Sequence, residues 1–213
     1  MKTLLITILL AYSLMSCQSA KDQANQSVTS ALEGVIKSQT GQDMDMVDTN
    51  SFMDQKVTAS FIYDGNEQLI NSENFSGSIV ISKSADGLNI SFQLVNESGT
   101  SLMGVFSNFD EGFKLPLVAK FTPSNAPSPG FATGTLVLMK LSESGMQEVP
   151  MPFEGTMTML SLNDKVAEFE INAKGGPSQN TNKPETWKSI NGKVTITKPA
   201  IQSMGIKKEE IFK

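Results

Sequence analysis

The stretch "FSGSIVI" (residues 75–81) decides the fold. Apolar side chains fall at Phe75, Ile79 and Ile81, with Ser76 and Ser78 on the alternate positions, the period of two that a half-buried β-strand requires. Gly77 occupies the slot where a further apolar side chain is expected. The same pattern returns as "ATGTLVL" (132–138), "FEGTMTM" (153–159) and "INGKVTI" (190–196), with Gly134, Gly155 and Gly192 in the equivalent slot. A glycine inside a strand costs conformational entropy and packing. Four of them on the apolar face point to a sharp bend or to the close approach of another element, as in curled barrels and coiled sandwiches. The uneven spacing of the four copies excludes a solenoid or propeller array.

The same alternation extends to either side. Leu88, Ile90, Phe92 and Leu94 alternate with Asn89, Ser91 and Gln93. Phe113, Leu115, Leu117, Ala119 and Phe121 form another such series, and Ala167, Phe169 and Ile171 alternate with Glu168 and Glu170. One apolar face and one wet face mark antiparallel strands. "SADG" (84–87) and "LNDK" (162–165) are hairpin turns by composition. The expectation is an all-β domain over residues 56–198, about nine strands long. It is a single antiparallel β-barrel or a curled β-sandwich, preceded by a short N-terminal helix. Residues 199–213 read as a C-terminal tail.

The outline is similar to that of lipocalin-like barrels. The Gly-x-Trp signature of their first strand is missing, so their function is not carried over. Two loops stand apart: "TPSNAPSPG" (122–130), with three prolines, and "GGPSQNTNKPETWKS" (175–189), which holds the only tryptophan, Trp187.

Ahead of the β-domain the chain changes character. Val28, Ala31, Leu32, Val35 and Ile36 recur at helical spacing, so residues 28–55 read as a short amphipathic helix followed by an acidic linker. Residues 17–27 read as a polar tether. Lys2 and the apolar run Leu4–Leu14 have the layout of a cleaved signal peptide, since a bilayer span needs about 20 apolar residues.

"LMSC" (14–17) resembles the lipobox of bacterial lipoproteins. The resemblance implies that residues 1–16 are a signal peptide, removed after Ser16, and that Cys17 carries a diacylglyceryl thioether and a further acyl chain. Two or more chains anchor a protein stably to a membrane, whereas one does so marginally. Gln18, in place of the Asp that holds enterobacterial lipoproteins at the inner membrane, implies an outer-membrane address in the cell envelope. Cys17 is the only cysteine, so the mature domain has no disulfide.

Composition limits the chemistry. Of 213 residues none is His, and all 17 basic residues are Lys. Without imidazole, Ser-His-Asp and Cys-His nucleophile activation are excluded, as are histidine metal sites. Without guanidinium there is no bidentate clamp for phosphate. A net charge of −5 argues against nucleic acid as a partner.

Weaker signals resolve into ordinary structure. Glu168 and Glu170 point outward and solvated, unlike the buried acid of a glycosidase pair. "DMDMVD" (43–48) lacks the glycine and closing glutamate of an EF-hand. Met146, Met151, Met157 and Met159 cluster, and thioethers suit Cu(I), but methionine on a strand's apolar face fills gaps in a core. Trp187 is a candidate binding residue, either a stacking platform for a ligand or a plug at one end of the core. No catalytic residue, metal site or cofactor is expected. The reading is a lipid-anchored, non-enzymatic binding or scaffold module, its partner an unknown protein. The alternative is a carrier holding a small apolar ligand inside the barrel.

Overall fold

The computed structural model describes residues 44–45, 55–69, 75–84, 87–96, 100–110, 112–123, 130–142, 145–147 and 149–211. The expected signal peptide, Cys17, tether and helix over 28–36 lie outside these residues. So does the acidic linker, except Met44, Asp45 and Gln55.

Alternation becomes strand wherever it was expected to be strongest. The elements are β1 (Met44–Asp45), β2 (Lys56–Tyr63), β3 (Asn66–Glu67), β4 (Phe75–Ser84), β5 (Gly87–Asn96), β6 (Ser101–Phe109) and β7 (Leu117–Phe121). They continue with β8 (Ala132–Ser142), β9 (Gly145–Gln147), β10 (Met151–Leu162), β11 (Val166–Gly176), β12 (Lys188–Thr197) and β13 (Ala200–Met204). Short 3-10 turns at Ser178–Asn180 and Pro184–Thr186, and a helix α1 (Lys208–Ile211), complete the described residues. Both expected turns are in place. Ser84 pairs with Gly87, which has φ +115°, and Asn163 Oδ1 accepts from the Lys165 and Val166 amides at 2.9 and 3.0 Å.

The all-β class stands, but three details are corrected. First, the strands form one 13-stranded sheet ordered β1-β13-β4-β5-β6-β8-β7-β10-β11-β12-β2-β3, with β9 attached to β8. It is neither a closed nine-stranded barrel nor a two-sheet sandwich: among the described residues no ladder joins β2 to β4. It is not wholly antiparallel either, because β13 runs parallel to β4 and β7 to β8. Second, β7 begins at Leu117 and not near Phe113. Pro116 has no N–H to give a ladder, Phe113 instead meets Phe109 edge-on at 5.1 Å, and Leu115 is 39% exposed. Third, the expected tail supplies β13, and Ile206 and Ile211 pack against the core.

The sheet is strongly curled, and the chain path shows why. β12 and β13 stand far apart in strand order, yet only Lys198 and Pro199 separate them. A two-residue link spans about 10 Å at most, so the two regions of the sheet must come together. Lys198 makes the turn with φ +51°, and its N–H donates to the Lys165 carbonyl at 2.7 Å. Below this handover, at the seam between β2 and β4, Gln55 reaches across: Nε2 donates to the Gly77 carbonyl and Oε1 accepts from the Gly77 N–H, both at 2.7 Å.

Inside the curl the space is filled. Phe61, Phe92, Phe106 and Phe169 have no exposure at all. The Phe92 and Phe169 rings stack at 4.3 Å, and Phe106 lies 6.0 Å from Phe169. Each such ring contributes on the order of 1.5–3 kcal/mol by leaving water. The glycine slots receive neighbours, as close approach requires. A Cβ at Gly77 would sit 3.0 Å from Ile196 Cδ1, one at Gly134 3.2 Å from the Phe121 ring, and one at Gly192 2.9 Å from Ile171 Cδ1. At Gly155 it would overlap the Asn172 carbonyl.

Candidate functional site

Two regions bear on function: the end of the sheet that holds Trp187, and the outer face of its charged half. Trp187 follows the turn Pro184–Thr186 and immediately precedes β12. Its indole ring is half-buried and lies 5.4 Å from Phe153, tilted by 51°. Its Nε1–H donates to the Asn180 carbonyl at 2.9 Å. The loop 177–187 is further tied by Thr181 Oγ1 donating to Ser178 O at 2.6 Å and Thr186 Oγ1 to Lys183 O at 2.8 Å. Trp187 therefore pins its own loop to β10. The polar handle that would orient a ligand is engaged within the protein.

Near this end, Tyr63 is half-buried, and burial together with the adjacent Asp64 carboxylate raises its phenol above the ordinary 10.0. Lys140 sits on the inward-pointing series of β8, beyond Leu138, and reaches Gln68 Oε1 at 3.4 Å. Burial lowers its ammonium pKa below the ordinary 10.5.

The outer face of β10, β11, β12 and β2 is built in rows by the ladder register. One row reads Thr158, Glu170, Lys193, Ser60 and the next Thr156, Asn172, Asn191, Ile62. Glu170 and Lys193, and likewise Glu154 with Thr156 beyond it and Lys174 opposite, alternate sign across strands, an arrangement that stabilises neighbouring strands. Over the backbone of Ile171 and Gly192 the two rows leave an open dish of about 290 Å³. Its lining of one carboxylate, one ammonium, two amides and a hydroxyl suits hydrogen bonding to a polar surface.

The remaining sequence candidates fall as follows. Glu168 and Glu170 lie on the outer face of β11. Met157 and Met159 are fully buried in the core, and Met151 is 38% exposed at the start of β10. Of "DMDMVD" only Met44 and Asp45 are described, as the strand β1. Among the described residues no group of three or more His, Cys, Asp or Glu side chains converges on a point that would hold a metal ion. The outer-face rows were missed from the sequence because their partners lie on other strands. The signal available was the sign alternation of Glu168 and Glu170 against Lys193, and of Glu154 against Lys174.

Comparison of the chain with family models, with curated proteins and with solved structures finds no match.

Proposed function

We propose that the chain is a lipid-anchored cell-envelope protein whose β-domain is a non-enzymatic binding or scaffold module working through its outer surface. The observation that carries the second half is the filled interior: the Phe92–Phe169 stack and Phe106 occupy the place a carrier would keep for its ligand. The glycine slots, which could have left room, hold the side chains of Ile196, Phe121 and Ile171. The first half rests on the lipobox-like "LMSC" (14–17), with Cys17 acylated and Gln18 directing the protein to the outer membrane. Its partners are then the membrane, through those acyl chains, and another protein, not nucleic acid.

Two measurements test this. Cys17→Ser should shift the protein from the membrane fraction to the soluble fraction of the producing cell; full retention at the membrane defeats the anchor. Native mass spectrometry of the Cys17→Ser chain should give the bare polypeptide mass or multiples of it. A reproducible added mass that is lost on denaturation would make the domain a container and put the carrier in its place.

A further inference from the structure

β13 is joined covalently to one part of the sheet and bonded to another. Ala200 to Met204 pair with Ser78 to Ser82 of β4, and Ser203 and Met204 pair with Asp45 and Met44 of β1. Among the described residues β13 shares no ladder with β12, the strand it follows. Ala200, Ile201 and Ser203 are buried, and Ile206 and Ile211 behind them pack on the same core. The ladders that hold this arm are thus made with strands remote in sequence, which an identical copy presents as well. The link itself, Lys198 and Pro199, is strained. Lys198 has φ +51°, a left-handed conformation that a residue with a Cβ adopts at a cost. It also precedes a proline, whose ring pushes the residue before it toward extended chain. Steric preference at Lys198 therefore favours opening the turn, and the bond from its N–H to the Lys165 carbonyl at 2.7 Å opposes that.

We propose that β13 and the residues after it exchange between two copies of the chain, the arm of each lying along β4 of the other once Lys198 and Pro199 extend. The occupant of the β4 edge is fixed by the structure. "AIQSM" (200–204) already lies on Ser78 to Ser82 in parallel register, and exchange lays the same sequence on the same residues. Such swapping re-forms every contact of the arm, so it is a low-cost route to a dimer. What differs between the closed and exchanged forms is the turn at Lys198, with its bond to Lys165, and the freedom lost when two copies associate. A short link under strain tips that balance toward exchange. The exchange is reciprocal, so a two-fold axis relates the copies and the assembly closes at the dimer. It stands apart from the surface-binding reading, because it uses a contact already made within each copy.

Refolding the full chain carrying Cys17→Ser, so that acyl chains cannot drive association, tests the proposal by sedimentation velocity. Refolding from urea at about 0.5 mM should leave dimer, and refolding at about 5 μM should give monomer, by mass action. Lys198→Gly, which takes positive φ freely, should lower the dimer fraction. Lys198→Val, for which positive φ is an outlier, should raise it, and the two association constants should differ by on the order of tenfold or more. Circular dichroism and the urea midpoint of the monomer confirm that each variant is folded. A cysteine pair locates the arm. Val80 and Gln202 are Cα partners across β4 and β13, both half-exposed, and the Cys17→Ser chain has no other cysteine. Val80→Cys with Gln202→Cys should then form a disulfide within the chain in the monomer and between chains in the dimer, read by non-reducing denaturing electrophoresis. A chain that refolds as monomer at both concentrations, a dimer linked only within each chain, or equal dimerisation of the Gly and Val variants overturns the proposal. None of these results touches the membrane reading, which stands or falls on the fractionation of Cys17→Ser.

Discussion

The carboxamide of Gln55 bonds both backbone groups of Gly77, donating to its carbonyl and accepting from its N–H at 2.7 Å each. This is what a residue of a neighbouring strand does in a ladder, performed by a side chain where no ladder exists. Gln55→Glu keeps the length but replaces the donor with an oxygen facing the Gly77 carbonyl. The expected loss is about 1–3 kcal/mol, the cost of an unsatisfied pair, read as a lower urea midpoint at neutral pH. A carboxyl held against a carbonyl has its folded pKa raised above the unfolded value near 4.3. The variant's deficit should therefore shrink as pH falls through that raised folded pKa and the acid becomes a donor, and level off below about 4.3. A deficit that stays constant down to acid pH would show that the seam does not depend on this bond.

Gly104 faces Phe92, and a Cβ there would overlap the ring. The ring is stacked on Phe169 and cannot retreat. Gly104→Ala should destabilise by about 1–3 kcal/mol through overpacking. Gly176→Ala makes the contrast: its Cβ would meet nothing nearer than 3.6 Å, so thermal unfolding should change little. Equal melting shifts in the two variants would contradict a tightly filled interior.

Trp187 is the only tryptophan, so its fluorescence reports on the loop it closes. Trp187→Phe keeps an aromatic contact with Phe153 but loses the bond to Asn180, a loss of about 1 kcal/mol. Trp187→Ala loses both and should cost two to three times as much, about 2–3 kcal/mol, by area bookkeeping. If Phe and Ala variants unfold alike, the packing on Phe153 contributes nothing.

Alkaline pH should weaken the fold through Tyr63. Its phenol titrates higher in the folded chain than the ordinary 10.0, first through burial and then through Asp64. Between those two values the folded state binds more protons than the unfolded one, so stability falls as pH rises through the window. Lys140, lowered by burial, acts with the opposite sign, since there the unfolded state holds the extra proton. Tyr63→Phe should flatten the alkaline decline in urea midpoint and leave neutral stability nearly unchanged. An identical decline in both proteins would remove Tyr63 as its source.

Much of the architecture could be read from alternation alone. Leu88 to Leu94 and Ala167 to Ile171 are local patterns, and burial follows them residue by residue. The turn at Asn163 was equally legible, because an Asx turn is formed by neighbours in sequence. Leu115 misled, since it continues the alternation and only Pro116 signals that no ladder forms there. The role of "AIQSM" (200–204) was hidden for a different reason. Its partner is β4, distant in sequence, and an amphipathic five-residue stretch has no mark of the edge it will join. Gln55 was silent as well, a polar residue in an acidic stretch whose bonding partner is glycine backbone. Of the candidate sites, Trp187 was visible by its rarity. The outer-face rows became visible only once register set Glu170 beside Lys193 and Asn172 beside Asn191.

The crossing from β12 to β13 has a consequence for the order of folding. Ser78 to Ser82 of β4 pair with Ala200 to Met204, so that edge stays raw until the chain has been made past residue 204. An unpaired edge of "SIVIS" (78–82) is a template for other strands. A nascent or truncated chain ending before residue 200 thus exposes a sticky border that β13 covers once it is made. Sequence-distant pairings of this kind are also slow to form. The domain is therefore one that gains from being kept unfolded until β13 has been made, and from folding where few other nascent strands are near.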